Sequence, residues 1–492
     1  MGRYREMKVI GRRQELELIK EILRSKEPEL TAVWGRRRIG KTYLIRNGRG
    51  SEDGTYFEIT GQKDAKQHLQ LKHFQDVLAE AFYSGQKIDK PKNWTEAFES
   101  LKLAITIQQK TSKSKKPITL FFDEAAWLDS RRSGFLNALE HFWNSWASNQ
   151  PNIKIFVCSS ASSWIVSKIL KGKGGWHRRA TRRIHLKPFT LAETKEYLES
   201  KNINLSTEDL ISLYMILGGT AAYLNQIKRG TSLPAIVNHL FLNENGVLKD
   251  EFEELYYSLF NSADEHMRIV RVLSKSRQGL TNKEIREKAK IQSGSHFTIY
   301  LSNLEQSDFI EKYQPFGTST KASQRYRLKD FFSLFYLTWL ETSKTKRIAN
   351  WQSVLEGASY NTWSGFSFEY LCWNHIDRII DQVGLAKANY SVSKFKYISK
   401  DPNEESAEID LLIDVTGAGV YVLELKHHNK EYTLEKTEKE NIEKKKRVLS
   451  KSLNYKRSVF TLLMCSSGAK KNKYLEETID KVLDVKILLS LP

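Results

Sequence analysis

A chain of 492 residues is too long for a single hydrophobic core, since single cores seldom grow past ~250–300 residues, so more than one domain is expected. Its 40% hydrophobic and 11% aromatic content excludes wholesale disorder. An excess of 78 Lys+Arg over 58 Asp+Glu, a formal charge of +20, favours a polyanionic partner, nucleic acid above all. Three cysteines (Cys158, Cys372, Cys465) stand far apart and give neither a disulfide framework nor zinc spacing, which suits a reducing cytoplasm. The opening M-G-R-Y-R-E-M-K lacks the apolar segment of a secretory signal, and no charge-poor apolar run reaches the ~18 residues of a membrane span. No internal repeat is present, and a cytoplasmic protein without membrane contact is expected.

In chain order, Val9-Ile10-Gly11-Arg12-Arg13 precedes an amphipathic helix with Leu16, Ile19, Ile22 and Leu23 on its apolar face. Residues 31–42 read T-A-V-W-G-R-R-R-I-G-K-T, an apolar strand running into Gly35-x-x-x-x-Gly40-Lys41-Thr42 and then a helix. This fits the phosphate-binding loop in its strand–loop–helix setting. Gly35 and Gly40 permit turns closed to other residues, so that successive N–H groups face a phosphate. The helix opening near Lys41 adds its positive dipole end. Lys41 supplies a point charge for the β- and γ-phosphates, and Thr42 a hydroxyl for Mg²⁺. The whole turn (Gly35, Arg36, Arg37, Arg38, Ile39, Gly40, Lys41, Thr42, with Tyr43 following) is the expected cradle for ATP.

Residues 55–60 read as a second strand, and 64–82 and 94–108 as helices. The apolar run 118–122 ends in Asp123-Glu124, as a buried parallel strand does where it reaches a ligand crevice. Asp123 is placed to hold Mg²⁺ and Glu124 to polarise the attacking water as general base. Another buried strand, 153–158, ends in Ser159-Ser160, which serves either as a γ-phosphate sensor or simply as a turn. The basic segment Arg178-Arg179-Ala180-Thr181-Arg182-Arg183 precedes a short strand. An arginine there can reach a γ-phosphate in cis or from a neighbouring subunit, or face solvent or nucleic acid.

The segments V-I-G-R-R-x-E-L, W-G-R-R-R-I-G-K-T, L-F-F-D-E-A-A-W-L, C-S-S-A-S-S-W-I, R-A-T-R-R-I-H-L-K-P-F and L-G-G-T-A-A-Y-L, in that order, resemble the prokaryotic archaeal-type ATPases, relatives of the AAA+ and STAND NTPases. The resemblance implies that Gly11 and Arg12 lie near the nucleotide base, that Arg179 is the family's arginine, and that Ser160 is in the sensor segment. Relatives usually carry proline where this chain has Ala221 in its G-G-x-x-x-Y-L segment.

Farther on, 266–274 has helical periodicity and Thr281 with Glu284 makes a capping-box pattern. Residues 296–306 read as another helix, and 309–313 with 324–328 as a two-stranded wing. This is the winged helix-turn-helix plan, which the resemblance also implies. The helix S-H-F-T-I-Y-L-S-N-L-E-Q carries neither Arg nor Lys, which counts against base reading in a major groove.

In the last part, Glu369 sits on a helix beginning near Ser364. Residues 408–415 and 420–426 are strands joined by a hairpin at Gly417 and Gly419. Side chains alternate along a strand, so Glu424 and Lys426 share a face and are expected to converge with Asp410. Two acids and a lysine suit metal-assisted phosphodiester hydrolysis. Asp410 and Glu424 bind Mg²⁺ or Mn²⁺ with the Leu425 carbonyl, and Lys426 orients the water or stabilises the developing charge. Helix Glu, then Asp, then E-x-K after a hairpin resembles the PD-(D/E)XK nuclease superfamily. The resemblance adds a Lys or Gln from the following helix, here Lys445 or Lys446.

The sequence therefore predicts an α/β chain of three parts. These are a P-loop, AAA+-like parallel-sheet ATPase with a helical lid (1–235), a winged helix-turn-helix with linker (236–345), and a restriction-endonuclease-like α/β domain (346–492). The expected activity is ATP hydrolysis plus metal-dependent cutting of nucleic acid, DNA first, with a homo-oligomer left open. The company such fusions keep implies defence against foreign DNA. The rival expectations are a STAND-like switch whose last domain is a non-cutting adaptor, and a DNA-bound regulator.

Overall fold

The computed structural model describes residues 8–49, 54–112, 116–172, 176, 178–292, 294–341, 348–428 and 430–491. Packing divides the chain into two compact units, Met1–Lys187 and Pro188–Pro492. The helical segment that follows Lys187 thus packs with the rest of the second unit, and the boundary expected at 345 lies outside the described residues.

In the first unit five strands, β1 (Glu29–Trp34), β2 (Thr55–Thr60), β3 (Ile118–Asp123), β4 (Ile153–Ser159) and β5 (Arg182–His185), form one parallel sheet in the order β2-β3-β4-β1-β5. β3 and β4 are buried at every residue, the pattern that follows when helices cover both faces. The helices are α1 (Arg13–Arg24), α2 (Lys41–Asn47), α3 (Gln67–Tyr83), α4 (Trp94–Thr111) and α5 (Phe135–Ser145). Ile19, Ile22, Leu44 and Ile45 of α1 and α2 pack with Val33, Phe121 and Phe156 of the sheet. A separate core joins Phe74, Trp94, Phe98 and Phe142 to Leu120 and Phe122, so alternate side chains of β3 serve opposite faces. No helix among the described residues is long and apolar enough to cross a membrane.

The second unit opens with α6 (Leu191–Glu199) and α7 (Thr207–Leu217). After α7 the chain turns at Gly218 and Gly219. A Cβ on Gly219 would lie 1.8 Å from the Phe189 carbonyl oxygen, so only glycine fits there. Ala221 opens the short helix Ala221–Leu224 at its first position, where proline is also accommodated, so the departure from the family pattern disturbs no hydrogen bond of that helix.

Next come α8 (Ala263–Ser274), β6 (Leu280–Thr281), α9 (Asn282–Ala289), α10 (Ser295–Gln306), β7 (Ile310–Tyr313) and β8 (Arg325–Leu328). The strands form a small antiparallel sheet, β6-β8-β7, and the Thr281–Glu284 capping box is present at the start of α9. The chain continues through α11 (Ala358–Asn374), β9 (Tyr390–Tyr397), β10 (Ala407–Val415), β11 (Gly419–Lys426), α12 (Lys436–Ser452), β12 (Val459–Cys465) and β13 (Lys481–Asp484). These strands make a mixed sheet in the order β13-β12-β11-β10-β9, antiparallel from β9 to β11 and parallel from β11 to β13. β9 went unassigned from sequence because Ser391, Ser393, Lys394 and Lys396 break its apolar pattern.

One core runs through this unit from Phe189 and Leu217 through Phe332 and Trp351 to Phe368, Leu423 and Leu488. Two polar locks reinforce it. Arg327 on β8 is fully buried, its guanidinium 4.5 Å from the Tyr370 ring centroid and 4.3 Å from that of Trp373, with a 3.0 Å hydrogen bond to Asn374 Oδ1 and an ion pair to Glu311. His375, at the end of α11, accepts the Leu191 N–H at Nε2 (3.1 Å), and its Nδ1 lies 2.9 Å from the Leu371 carbonyl.

Burial pushes the His375 pKa down from 6.5 to about 4. The unfolded chain takes up this proton as pH falls below 6.5 and the folded chain does not, so stability present above pH 6.5 is lost toward pH 4. The full window is worth on the order of 3 kcal/mol. Denaturant unfolding of the wild type should therefore show a midpoint that falls between pH 7 and pH 4.5, more steeply than in a His375→Asn variant; equal slopes would refute the lock.

Candidate functional site

The phosphate loop leaves the C-terminal end of β1. Gly35 has φ 147°, and a Cβ there would come within 2.1 Å of the Leu186 carbonyl oxygen, so the loop follows a path closed to other residues. Gly40, at φ 95°, caps α2, and no described atom lies within 4 Å of where its Cβ would be. Arg38 takes the left-handed region as well, at φ 68°. Arg36 and Ile39 are buried, while Arg37, Arg38 and Tyr43 are exposed.

Lys41 is buried, and its ammonium donates to the Gly35 and Arg36 carbonyls (both 2.9 Å) and to Ser160 Oγ (2.8 Å). Thr42 Oγ1 donates to Asp123 Oδ2 at 2.7 Å. This hydroxyl–carboxylate pair is the all-oxygen donor set that Mg²⁺ takes. Burial raises the Asp123 pKa, and the hydrogen bond from Thr42 opposes that rise. Glu124 follows at φ 45°, where one carboxylate oxygen accepts the Ser160 N–H at 2.9 Å and the other accepts the Ser160 hydroxyl. Ser160 thus links Lys41 to Glu124, a closer part than the turn-or-sensor alternative read from sequence. Gly11 and Arg12 are both left-handed (φ 65° and 54°), and the buried Arg12 guanidinium donates to the Ile39 carbonyl of the loop at 3.3 Å.

The topology decides the cis-or-trans alternative for Arg179. Arg182 pairs with Thr31, and the Thr181 N–H donates to the Leu30 carbonyl at 2.8 Å, so Arg179 precedes β5 at the end of the sheet where β1 begins. Its own phosphate loop leaves the opposite end, a strand length of ~20 Å away. A γ-phosphate contact by the exposed Arg179 therefore requires a second copy of the chain.

A second cluster forms in the mixed sheet. The β10–β11 ladder runs from Val415–Gly419 to Leu412–Val422. Beyond it Ala407–Ile409 pair with β9 and Glu424–Lys426 with β12, and the β9–β10 register shifts between Ile409 and Leu412. The strands part there, with Asp410 and Glu424 at the two sides of the gap and Glu369 approaching on α11. Burial first, then the Asp410 charge, pushes the Glu369 carboxyl up to about 8, while Lys394 and Arg277 oppose the rise. Glu369 Oε2 is buried with no hydrogen-bond partner among the described residues.

Two lysines hold the other acids. Lys394 of β9, buried, lies 3.5 Å from Asp410 Oδ1, and Lys445 of α12 bonds Glu424 Oε1 at 2.7 Å. Burial lowers the Lys394 pKa, with Asp410 opposing; burial also works against a charged Lys445, but Glu424 leaves its pKa raised.

Lys426 shares a face with Glu424 as expected, but its ammonium pairs with Glu438 on α12 and does not join Asp410. Glu438 and Lys445 are seven residues apart, two helical turns, so α12 meets Lys426 and Glu424 in successive rungs. That register selects Lys445, since Lys446 faces Asp480 at 3.7 Å. Leu425 turns its side chain the other way, into the core. Among the described residues no three His, Cys, Asp or Glu side chains are grouped closely enough to hold a metal ion. The carboxylate chemistry and the unpartnered Glu369 oxygen nonetheless suit a hard cation. Lys394 was missed because nothing in Y-S-V-S-K-F-K-Y distinguishes it from a surface lysine.

The first of these sites, with loop, lysine, hydroxyl and acid at the C-terminal ends of parallel strands, is that of a P-loop nucleotide-binding protein. Residues 10–227 match the family model described as an ATPase domain predominantly from Archaea. An uncharacterised protein of Methanocaldococcus jannaschii, MJECL04, is 25% identical over 376 residues, covering 73% of this chain and 75% of that one. Among solved structures, the Walker-type ATPase PABY2304 of Pyrococcus abyssi aligns at a TM-score of 0.48 and 18% identity, over 67% of this chain and 96% of that one. The ORC2 protein of Aeropyrum pernix aligns at 0.44 and 14%, over 70% and 98%.

Gly35→Ala adds both a steric clash and a disfavoured φ. It should lower the melting temperature and abolish ATP binding, whereas Lys41→Ala should leave melting near wild type and weaken ATP binding at least ~100-fold, the cost of losing a charge-assisted contact or two. Calorimetric titration of ATP checks both, and undiminished affinity in Lys41→Ala would remove the lysine from the site.

Proposed function

We propose that the chain hydrolyses ATP in its first unit and, with a divalent cation, cuts nucleic acid at the gap between β10 and β11, DNA being the expected substrate. The observation that carries the second half is that Glu369, Asp410 and Glu424, on three separate elements, lie near one another without closing into a metal-sized group, with Lys394 paired to Asp410 and Lys445 to Glu424. Holding three carboxylates near one another in a partly buried place is costly, and sites that gather titratable groups in this way are candidates for chemistry.

For ATP hydrolysis, Lys41, remaining an ammonium, would redirect its hydrogen bonds from the loop carbonyls to the β- and γ-phosphates, and Thr42 with Asp123 would hold Mg²⁺. Glu124, released from Ser160, accepts the proton of the attacking water. Ser160, already bonded to both Lys41 and Glu124, can report the arrival of a γ-phosphate to the base. Arg179 of a neighbouring copy would stabilise the transition-state charge, which makes a homo-oligomer part of the proposal.

At the second site Asp410 and Glu424, with Glu369 and the Leu425 carbonyl, would hold Mg²⁺ or Mn²⁺. When bound, the cation neutralises the phosphodiester and acidifies the attacking water. The water oxygen bonds to phosphorus, one ester P–O bond breaks, and the leaving alkoxide takes up a proton. Lys445, which bonds Glu424, would turn to the phosphate oxygens once a cation held that carboxylate, alongside Lys426, to which the sequence reading gives this part. Lys426 orients α12 through Glu438.

Charge supports a nucleic-acid partner and indicates which unit holds it. Residues 1–187 have 36 Lys+Arg against 19 Asp+Glu, whereas residues 188–492 have 42 against 39. Backbone affinity therefore resides mainly in the ATPase unit and weakens with salt. A second reading is favoured by the lysine pairs themselves: with Asp410 and Glu424 already neutralised, the mixed sheet would be a non-cutting adaptor worked by a nucleotide switch.

Plasmid and linear DNA, with RNA in parallel, incubated with Mn²⁺ with and without ATP, decide between the readings. Wild type should cut, Glu424→Ala and Asp410→Asn should fall at least ~100-fold, and Lys445→Ala should lose more than Lys426→Ala. Cutting by Glu424→Ala at the wild-type rate would overturn the nuclease proposal.

A further inference from the structure

The carboxylate cluster is bordered by a segment of the small-sheet module. The loop from α8 to β6, residues 275–279, lies against β9 and β10 by two contacts. Lys394 Nζ, paired with Asp410, also donates to the Arg277 carbonyl at 2.9 Å. The Gln278 side chain bonds Glu408, two residues before Asp410. The Tyr313 hydroxyl of β7 bonds the Gln278 carbonyl, and the Phe316 N–H donates to the Lys394 carbonyl at 2.9 Å. The loop is therefore fixed to the same lysine that holds Asp410.

Its one large cationic side chain near the site is Arg277. The residue is exposed, and its guanidinium carbon lies 5.6 Å from the centroid of Phe366, one helical turn before Glu369 on α11. The ring contact holds an exposed guanidinium next to a helix whose Glu369 belongs to a cluster of half-buried or buried acids. It lies close enough for its charge to act on the Glu369 carboxyl. Lys394 and Lys445 are committed to carboxylates, whereas the Arg277 side chain is exposed. Its planar fork matches two phosphate oxygens at once.

We infer that Arg277, contributed by the small-sheet module, binds a backbone phosphate of the nucleic acid beside the scissile one, so that the cutting site is shared between that module and the mixed sheet. The inference rests on the nuclease reading for its consequence, but not for its test. It also gives the module a contact with nucleic acid that does not involve α10, which lacks Arg and Lys along its length.

The experiment uses the full chain and a fluorescein-labelled 30-base-pair DNA. Anisotropy with Ca²⁺, and cleavage with Mn²⁺, are measured for wild type, Arg277→Ala, Arg277→Lys and Glu424→Ala. The expected result is that Arg277→Ala raises the DNA concentration for half-saturation about 10-fold, the worth of one charge-assisted contact. Turnover should change less, the Mn²⁺ concentration for half-maximal cutting should stay within about twofold, and Arg277→Lys should recover part of the loss. Unchanged half-saturation in Arg277→Ala overturns the inference while leaving the nuclease reading intact. So does a shift confined to the Mn²⁺ dependence, which would make Arg277 a residue that tunes the acids. If wild type does not cut, the nuclease reading fails, and the anisotropy arm alone decides for or against Arg277.

Discussion

An ammonium group removed from water must find acceptors for its hydrogens and an opposite charge or dipoles to face, or the protein loses several kcal/mol. Both candidate sites are arranged around that constraint. Lys41 meets it with two loop carbonyls and Ser160, Lys394 with the Arg277 carbonyl and Asp410, and Lys445 with Glu424. Each set of acceptors can be exchanged for phosphate oxygens or released when a cation takes over the carboxylates. On the proposed function, the positive charge would be held in advance where a phosphate needs it, which would leave little reorganisation for the reaction itself.

The second unit adds a mechanical constraint. A single core runs from the helices after Phe189 to the last strand, and α11 lies within it. The helix that carries Glu369 is also held by Arg327 from the small sheet, and its end by the bond from Leu191 to His375. Glu369 therefore cannot shift independently of either neighbour. A change in the packing of α6, whose first residue is Leu191, would be felt at the carboxylate cluster without any flexible tether between them. This is a physical route by which the helical segment of the unit and the proposed cutting site share one state.

Local chemistry was legible in the sequence where the constraint itself is local. The phosphate loop is specified by two glycines whose backbone angles other residues resist, and by a lysine and threonine at fixed spacing. The hairpin at Gly417 and Gly419, the capping box at Thr281 and the acid at the end of β3 were readable for the same reason. What was not legible depends on tertiary partners. Lys426 shares a face with Glu424, yet which lysine bonds Glu424 is set by the register of α12 against β11, and Glu438 claims Lys426. Lys394 and Arg277 carry no local signature, and their positions follow from how β9 and the small sheet pack together. Parallel pairing of β1 with β5 likewise excludes a cis role for Arg179 that spacing alone had allowed.

The central claim is that the chain holds two divalent-cation sites of different kinds, one dependent on a nucleoside triphosphate and the other built from carboxylates of the mixed sheet. Counting bound Mn²⁺ by electron paramagnetic resonance, with and without a non-hydrolysable ATP analogue, tests it most directly. One ion should bind without nucleotide and disappear in Asp410→Asn/Glu424→Gln, and a second should appear with the analogue and disappear in Lys41→Ala. If the double carboxylate variant binds as much Mn²⁺ without nucleotide as the wild type, or if the wild type binds none, the second site does not exist and the account reduces to a nucleotide-driven switch.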